Sequence, residues 1–368
     1  MSMLRLAVVG NPENRRIGLL CKAAADLGTV EPRVVPWLDV LQGAARFHAG
    51  ELVRIDSPGE DAEVARLLRG ESEPVDMYRV EGSRAWYEGF VKALDQLHAS
   101  IEAAGAHALA DAEETATAFD KARCHAMLSE HGISVPAAVP GVVGFESLVA
   151  SQAELGWTGV YAKIRHGSSA SGVVEVRQSG QSGQSRGALR ALTSTELHRT
   201  PDGFELYNSL RIRRYARESD IAMVIDRLAL DGLHVETAVD KLRIGGRVAD
   251  LRLVAVGGRV THAVGRSSEI PITNLHLGGR RQAAHEYRER VGDERWAQII
   301  GLAERTAACF PRSHCLGIDV LSDHARDYIG EVNAYGDLLP GLLGLPGTLG
   351  EGRDTYAAQL ASLQAMHG

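Results

Sequence analysis

The sequence has little cysteine and no cysteine pattern typical of a metal site or a disulfide framework. Four of its 368 residues are cysteine, at positions 21, 124, 309 and 315, and no two of them form a C-x-x-C pair. In a chain of this length, with no segment typical of a secretory signal, scattered thiols are more typical of small buried side chains than of zinc ligands. We therefore expect a protein of the reducing cytoplasm.

The sequence also lacks a long hydrophobic run and a surplus of positive charge. The first apolar stretch, residues 4–9, is far too short to span a membrane, and the polar residues 11–16 end it. The formal net charge is -7, and lysine and arginine are dispersed apart from short clusters such as residues 211–214. These absences argue against a membrane or a nucleic-acid partner. The composition is instead typical of an ordinary enzyme. A chain of 368 residues predicts two or three domains.

The first third of the chain has the pattern of an α/β domain. A strand over residues 4–9 leads through the turn 10–12 into a helix over 17–27, and a second strand follows over 32–37. Because Gly10 is not part of a G-x-G-x-x-G motif, a packed parallel-sheet domain is favoured over a dinucleotide site, with the turn as a candidate to face a substrate. Apolar residues at helical spacing predict a further helix from about 84 to 104.

The middle of the chain carries a cation next to a loop of small residues. A predicted helix ends at Glu130, and a predicted strand over residues 159–164 carries Lys163 near its end, directly before the loop 167–172. A rigid strand can aim the ammonium at a phosphate, and the glycines remove Cβ obstruction. The alternative is a plain hairpin with a solvated lysine. Composition assigns the Gly/Ser/Gln tract over 179–187 to a surface loop.

The last third has two predicted hairpins. After a strand over residues 233–239, strands 248–256 and 259–268 flank Gly257-Gly258. Asp250 and Arg252 share one strand face by the period of two. Arg266 joins that face only if the turn is odd in length, for instance a three-residue loop with a bulge, and points away with a two-residue turn.

The second hairpin brings two acids together. After a helix over 294–310, strands 315–321 and 328–334 set Asp319 beside Glu331, and a regular strand puts Asn333 on the same face. Two carboxylates and a carboxamide suit Mg²⁺, which fills its shell with water and nucleotide phosphate. A solvated acidic strand edge is the alternative, but acids within apolar strands need a partner. The lysine, the loop and the acids together predict a nucleoside-triphosphate site.

These residues and their order resemble the ATP-grasp superfamily, and within it the glutamate-ligase branch typified by the ribosomal-protein-S6 modifying enzyme. Glutathione synthetases and D-alanine ligases are more distant relatives. The resemblance covers roughly Phe119 to Gly341. It rests on Asp120-Lys121, Ile133-Ser134-Val135-Pro136, Lys163 with the loop 167–172, Asp250-Leu251-Arg252, the segment 273–279, Gly317-Ile318-Asp319 and Glu331-Val332-Asn333-Ala334.

The resemblance implies an α/β fold with α+β ATP-grasp architecture. A Rossmann-like pre-ATP-grasp domain is expected over residues 1–112. A central subdomain with the glycine-rich lid would follow over 113–235, and a C-terminal subdomain with the metal site over 236–368. The last two would sandwich ATP.

The resemblance also implies a role for each matched residue. ATP would contact Lys121, Lys163, Gly167, Ser168, Ser169 and Gly172, with the loop 167–172 as a lid, and the hinge Glu236, Thr237, Ala238 and Val239 would read adenine, with Asp240 on the ribose. One or two Mg²⁺ ions, or Mn²⁺, would bind Asp319, Glu331 and Asn333. Arg252, Arg266 and Asn274 would bind the transferred phosphate or the acyl intermediate. As alternatives, Lys121 faces solvent on its helix, and Asp240 forms an ordinary ion pair with Lys241.

The implied activity is ATP-dependent joining of a carboxylate to an amine or a thiol through an acyl phosphate. The substrates would be small molecules or peptides, and a homo-oligomer is compatible with the family. A non-catalytic ATP-binding module and a small-molecule kinase are the alternatives. The chain departs from the branch at residues 335–341, where a Ser-Pro-Gly continuation usually lines the acceptor pocket, so the acceptor stays open.

Overall fold

Three β-sheets organise the computed structural model of the protein. The structure describes residues 5–167, 170–179, 187–336 and 339–367, and of Leu210 and His367 the backbone alone. The first sheet is parallel, in the order β2-β1-β3-β4, as the α/β pattern predicts. Its elements are β1 (Leu6–Gly10), α1 (Arg15–Asp26), β2 (Arg33–Pro36), α2 (Trp37–Leu41), β3 (Leu52–Ile55), α3 (Ala62–Arg69), α4 (Ser83–Ala103), β4 (His107–Ala108) and α5 (Ala112–Phe119).

The second sheet is antiparallel, in the order β5-β10-β6-β7-β8-β9. Helices cover one of its faces, and the other face carries Lys163. Its elements are α6 (Lys121–Glu130), β5 (Ala138–Val139), α7 (Phe145–Glu154), β6 (Gly159–Ile164), β7 (Val173–Gln178), β8 (Leu189–Thr200), β9 (Gly203–Tyr215), α8 (Glu218–Ala229) and β10 (Leu233–Thr237).

The third sheet is also antiparallel, in the order β14-β13-β12-β15-β16, with β11 paired to β12. Both predicted hairpins are present in it. Its elements are β11 (Arg243–Ile244), β12 (Arg247–Val256), β13 (Arg259–Ser268), a 3₁₀ turn (Leu275–Leu277), β14 (Arg280–Gln282), α9 (Ala284–Val291), α10 (Asp293–Ala308), β15 (Cys315–Ser322), β16 (Asp327–Asn333) and α11 (Thr355–His367).

The first and third sheets share one hydrophobic core, whereas the second sheet has a core of its own. One core runs from the first sheet through α4 to the third sheet. Phe119 packs against this core, and its ring centroid lies 5.1 Å from that of Phe90 and 5.5 Å from that of Tyr335. The second sheet has a separate core with α7 and α8. Helix α11 returns to pack on α1. The second sheet therefore forms its own wall, and the boundaries at residues 112 and 235 stay a prediction.

None of the helices in the described ranges combines the length and the apolar composition needed to cross a bilayer.

Two glycines within helices should respond oppositely to alanine. A Cβ at Gly89 in α4 would lie 1.9 Å from the carbonyl oxygen of Leu68 in α3, whereas a Cβ at Gly18 in α1 would meet nothing within 4 Å. We expect Gly89→Ala to lower the free energy of unfolding by about 2 kcal/mol or more through overpacking. Gly18→Ala should raise it by up to about 1 kcal/mol through helix propensity. Urea denaturation tests both, and equal effects would contradict the close packing of α3 on α4.

Candidate functional site

Lys121 begins helix α6 because the side chain of Asp120 caps that helix. The Asp120 carboxylate accepts hydrogen bonds from the backbone N–H groups of Ala122 and Arg123, both at 3.1 Å. The ammonium of Lys121 donates to the carbonyl oxygen of Gly167 at 2.6 Å and to Glu331 Oε1 at 2.8 Å. The alternative that Lys121 only faces solvent is wrong. Its side chain connects the loop after β6 to the acidic strand β16.

Lys163 lies on the open face of the second sheet. The alternation along β6 puts Ala162 and Ile164 in the core and leaves Lys163 on the opposite face. Its ammonium forms an ion pair with Glu236, which is only 3% exposed, and the second oxygen of Glu236 lies 3.1 Å from Nε2 of His234. Burial favours the neutral acid, but the Lys163 charge and the His234 hydrogen bond outweigh it and lower the pKa of Glu236 to about 2.

His234 responds to the same surroundings in the opposite sense. Burial lowers its pKa from the usual 6.5, and the hydrogen bond to Glu236 opposes that change. The neutral imidazole therefore donates to Glu236 without adding a charge, and Lys163 is the cation that balances the carboxylate.

The predicted adenine hinge lies at the end of β10, and part of its backbone is already used. Thr237 donates its N–H to the carbonyl of Ala137 at 2.8 Å, and Ala238 donates to that of Gly159 at 2.9 Å. In the described part of the chain, the N–H groups of Val239 and Asp240 have no such partner. Any hydrogen bond that a hinge N–H donates to a base would come from these two. An apolar cluster next to the hinge contains Ala238, Tyr161, Ile272 and Leu277, and sequence reasoning missed the last three.

Asp319 and Glu331 lie directly opposite each other on β15 and β16, as predicted. A β-bulge lies beside this pair. The next pair is Val320 with Ile329, so Gly330 is an extra residue on β16. Ile329 and Val332 both enter the core as a result. The strand is therefore irregular between Ile329 and Glu331 but regular from Glu331 to Asn333, so the acids and Asn333 share one face.

Asn333 lies opposite Gly317 at the end of the same strand pair. Its amide nitrogen donates to the Gly317 carbonyl at 3.4 Å, so its oxygen can point elsewhere. A Cβ at Gly317 would lie 2.6 Å from the carbonyl of Gly336 and 3.3 Å from Nη1 of Arg252. Only glycine at this position lets the strand and the guanidinium approach so closely.

Asp319 is held by two arginines, one from the adjacent strand β12 and one from β13, the strand beyond it. Arg252 lies opposite it on β12, with Nε and Nη2 both donating to the carboxylate, the latter at 3.2 Å. Arg266 Nη2 lies 3.0 Å from the same carboxylate. The β12–β13 turn has the two residues Gly257 and Gly258, so a regular hairpin would point Arg266 away. A bulge at Val254/Ala255 shifts the register and sets Arg266 opposite Asp250.

Asp250 extends this network toward the hinge. Its carboxylate accepts from Arg266 Nε at 2.8 Å, from Lys241 Nζ at 3.2 Å and from the hydroxyl of Thr273. Burial raises the pKa of Asp250, but the charges of Arg266 and Lys241 outweigh burial and hold it well below its usual range. Lys241 is therefore not the ion-pair partner of the exposed Asp240. Thr273 lies in the matched segment 273–279, but the sequence carried no signal that Thr273 or Lys241 would contact Asp250.

Asn274 has a local role in the structure. Its side-chain oxygen accepts from the N–H of His276 at 2.8 Å and so begins the 3₁₀ turn after it. The structure thus places Asn274 next to Thr273 but does not bring its side chain into the ion-pair network of the described residues. Of the predicted loop, Gly167 and Gly172 connect β6 to β7, and Ser168 and Ser169 lie outside the described residues.

The second sheet and the third sheet enclose one cleft, with helix α6 between them. It is lined by Ala118, Lys121, Cys124, His125, Leu128, Val135, Lys163, His234, Glu236, Ile329, Gly330, Glu331 and Val332. Both predicted lysines therefore meet one of the predicted acids across a shared space. The Arg252–Arg266–Asp319 network continues from Glu331 along the third sheet.

The donor set suits a magnesium ion that is bound together with a nucleotide. No group of three or more His, Cys, Asp or Glu side chains that could hold a metal occurs in the described ranges. Mg²⁺, however, typically takes one or two carboxylates and completes its shell with phosphate and water. Asp319, Glu331 and the amide oxygen of Asn333 share a face and supply that number.

Comparison with solved structures identifies the fold. The D-cycloserine synthetase DcsG covers 97% of this chain and 99% of its own at 16% identity, with a TM-score of 0.57. The ATP-grasp ligase PsnB, bound to a phosphomimetic variant of a minimal precursor, Mg and ADP, covers 99% of both chains at 16% identity and a TM-score of 0.55. An ATP-grasp RimK domain protein from Sphaerobacter thermophilus covers 97% and 98% at 17% identity and 0.50.

No family model matches the chain, and no curated protein matches it. The structural likeness extends over nearly the whole length of three ATP-grasp proteins. The chain therefore has the ATP-grasp fold, as the motifs predict. Identities of 13–17% carry the fold alone and leave the substrate open.

The buried Glu236 should make stability depend on pH in the acid range. Its folded-state pKa of about 2 lies below the usual 4.5. The carboxylate therefore stabilises the fold above pH 4.5, and this contribution is lost as the pH falls from 4.5 toward 2. Between pH 5 and pH 3 we expect it to lower the free energy of unfolding by on the order of 2 kcal/mol. Urea denaturation should show a smaller pH difference in Glu236→Gln.

The matched control is Glu88→Gln, since Glu88 is exposed on α4. It should keep the pH difference of the natural protein. If Glu236→Gln kept it too, the Lys163–Glu236 ion pair would not be the source.

Proposed function

We propose that the protein is an ATP-dependent ligase that joins a carboxylate to an amine or a thiol through an acyl phosphate. The observation that carries this proposal is the row formed by Arg252, Asp319 and Glu331 on three adjacent strands. Glu331, at one end of the row, lines a cleft together with Lys121 and Lys163. Such a row supplies metal ligands and phosphate-binding cations at one place. The ATP-grasp fold supports it.

ATP binding would exchange partners in the cleft. Lys121 now donates to Glu331 and Lys163 to Glu236. Phosphate oxygens would take over the ammonium groups, and Asp319, Glu331 and Asn333 would hold one or two Mg²⁺ or Mn²⁺ ions. When bound, the metal would neutralise phosphate charge. Val239 and Asp240 would supply the free hinge N–H groups for the base.

The arginines would act on the transferred group. In the first step a substrate carboxylate oxygen attacks the γ-phosphorus of ATP, the bond to the β-phosphate oxygen breaks, and ADP leaves. In the second step an amine or thiol attacks the acyl carbon, phosphate leaves with the bonding pair, and the nucleophile loses a proton. Arg252 and Arg266 would stabilise the oxygens that gain charge in both steps, because their guanidinium groups lie beside Asp319 in a buried position.

Two alternative functions, a kinase and a non-catalytic module, would differ from the ligase in the products that they release. A kinase would release the acyl phosphate or another phosphorylated product, and a non-catalytic module would release no ADP. The names of the structural neighbours include a D-cycloserine synthetase and a ligase bound to a variant of a minimal precursor. Both small-molecule and peptide substrates are therefore included in the proposal, and cytoplasmic ATP and Mg²⁺ would supply the reaction.

The first experiment is an assay of Mg²⁺-dependent ADP release with pooled amino acids, dicarboxylates and short peptides, followed by mass spectrometry of each active pool. A condensed product supports the ligase, and a phosphorylated one supports the kinase. Tight ATP binding with no ADP release from any pool would favour the regulatory module.

Removing the acid pair should abolish turnover without unfolding the protein. In Asp319→Asn with Glu331→Gln, we expect Mg²⁺-dependent ADP release to fall by about a hundredfold or more, since metal ions contribute several kcal/mol of transition-state stabilisation. Circular dichroism checks the fold. Glu289→Gln, an exposed acid on α9, is the control. Unchanged turnover in the double variant would refute the site.

Lys163 is tested in a background that leaves no buried unpaired acid. Lys163→Ala alone would strand the buried Glu236, so we combine it with Glu236→Gln. We expect ATP affinity, measured by calorimetry, to fall by about tenfold or more relative to Glu236→Gln alone, because a charge-assisted hydrogen bond to phosphate is lost. Lys92→Ala, an exposed lysine on α4, should change nothing. Equal affinities with and without Lys163 would exclude it from the nucleotide site.

A further inference from the structure

Lys121 is held in place by three consecutive residues, 165–167, which directly follow β6. Its backbone N–H donates to the carbonyl of Arg165 at 3.0 Å, and its ammonium donates to the carbonyl of Gly167 at 2.6 Å. Arg165 Nε also donates to the carboxylate of Asp120, the residue that caps α6, at 2.6 Å. The first turn of α6 and the segment after β6 are therefore one connected unit, and the position of the ammonium depends on both.

His166 lies in the middle of this segment, and its ring packs against helix α4. The ring of Tyr87 stacks on the imidazole, with centroids 3.9 Å apart and an angle of 8° between the planes. His166 Nε2 also lies 3.4 Å from Asp120 Oδ2. The Tyr87 hydroxyl donates to the carbonyl of Ala116 at 3.0 Å, which fixes the tyrosine ring. Since a stacked pair favours one relative orientation of its rings, the imidazole is held by the tyrosine.

Helix α4 is tied at its first turn to the loop between α8 and β10. The helix begins after Gly82, which has no side chain that could cap it. The carboxylate of Asp231 takes that role and accepts from the N–H groups of Gly82 and Arg84 at 2.9 and 3.0 Å. The next residue, Gly232, accepts at its carbonyl from the N–H of Arg165 at 3.0 Å. The helix that supplies the tyrosine ring and the segment that carries the imidazole are therefore attached to the same loop.

We infer that Tyr87 and His166 are positioning residues for Lys121. The inference rests on the proposed function, in which Lys121 leaves Glu331 and donates to a phosphate of ATP. A lysine ammonium sits on a flexible four-carbon stem, so its backbone and its remaining acceptor, the Gly167 carbonyl, must be fixed for it to meet the phosphate at little entropic cost.

Neither ring of the stack lines the cleft that contains Lys121, Lys163 and Glu331. The stack acts instead on the residue next to Gly167 and on Asp120, and through them on the ammonium. A helix that packs with the first sheet thus determines how strongly the cleft holds phosphate, without touching the nucleotide.

The test separates binding of the phosphates from binding of the base and sugar. Calorimetry gives the affinity of the full-length protein for ATP with Mg²⁺, and competition against ATP gives that for adenosine. We expect Tyr87→Ala and His166→Ala to weaken ATP binding about threefold or more. Adenosine binding should not change, because Lys121 would contact only phosphate. Tyr87→Phe keeps the ring and should restore most of the affinity for ATP. Tyr78→Ala removes an exposed tyrosine and is the matched control.

A double-variant cycle shows whether the effect passes through Lys121. Lys121→Met alone should weaken ATP binding about tenfold or more, because a charge-assisted hydrogen bond to phosphate is lost. In that background Tyr87→Ala should weaken it no further. Circular dichroism checks the fold, and His166→Ala takes the place of Tyr87→Ala in the cycle if the latter does not fold.

The outcomes separate this inference from the proposed function. If Lys121→Met binds ATP as tightly as the natural protein, the role of Lys121 in nucleotide binding is wrong, and the inference falls with it. If Lys121→Met weakens ATP binding but Tyr87→Ala and His166→Ala do not, the nucleotide site stands and the positioning role is refuted. Equal losses for ATP and adenosine, or an undiminished loss in the Lys121→Met background, would mean that the stack only stabilises the fold, which also refutes the inference.

Discussion

One row of charged side chains across three strands determines the rest of the proposed site. Arg252, Asp319 and Glu331 are opposite one another on β12, β15 and β16, so a single sheet fixes their spacing. Two further cations contact this row: Arg266 on β13 forms an ion pair with Asp319, and Lys121 at the start of α6 forms one with Glu331. Because adjacent strands hold the row, its geometry follows from the backbone ladder and does not depend on loops.

The charges of the cleft are nearly balanced in the structure as it stands. Five cations, Lys121, Lys163, Lys241, Arg252 and Arg266, contact four acids, Glu236, Asp250, Asp319 and Glu331. Burying such groups without partners would cost several kcal/mol each, so the pairing makes the folded protein possible before any nucleotide binds. A nucleotide with its metal brings both signs of charge. It can therefore replace these pairs without leaving a buried charge alone.

Sequence patterns predicted most of this arrangement, and the misses are of different kinds. The hairpins, helix α4 and the Asp319–Glu331 pair follow from local periodicity and turn residues. The two β-bulges do not follow from the sequence, because the residues of each strand are also compatible with a regular strand. The packing of Ile329 and the position of Arg266 both depend on these bulges. The long β8–β9 hairpin was missed although Pro201-Asp202-Gly203 marks its turn. Long-range partners such as Lys241 with Asp250 have no local signal.

The most direct measurement is a crystal structure with Mg²⁺ and a non-hydrolysable ATP analogue. We expect a metal bound to oxygens of Asp319, Glu331 and Asn333 at about 2.0–2.1 Å. We also expect Lys121 to leave Glu331 and donate to a phosphate, with the base at the Val239–Asp240 backbone. A nucleotide bound elsewhere, or one bound in the cleft while Lys121 still pairs with Glu331 and no metal contacts Asp319, would contradict the proposed site.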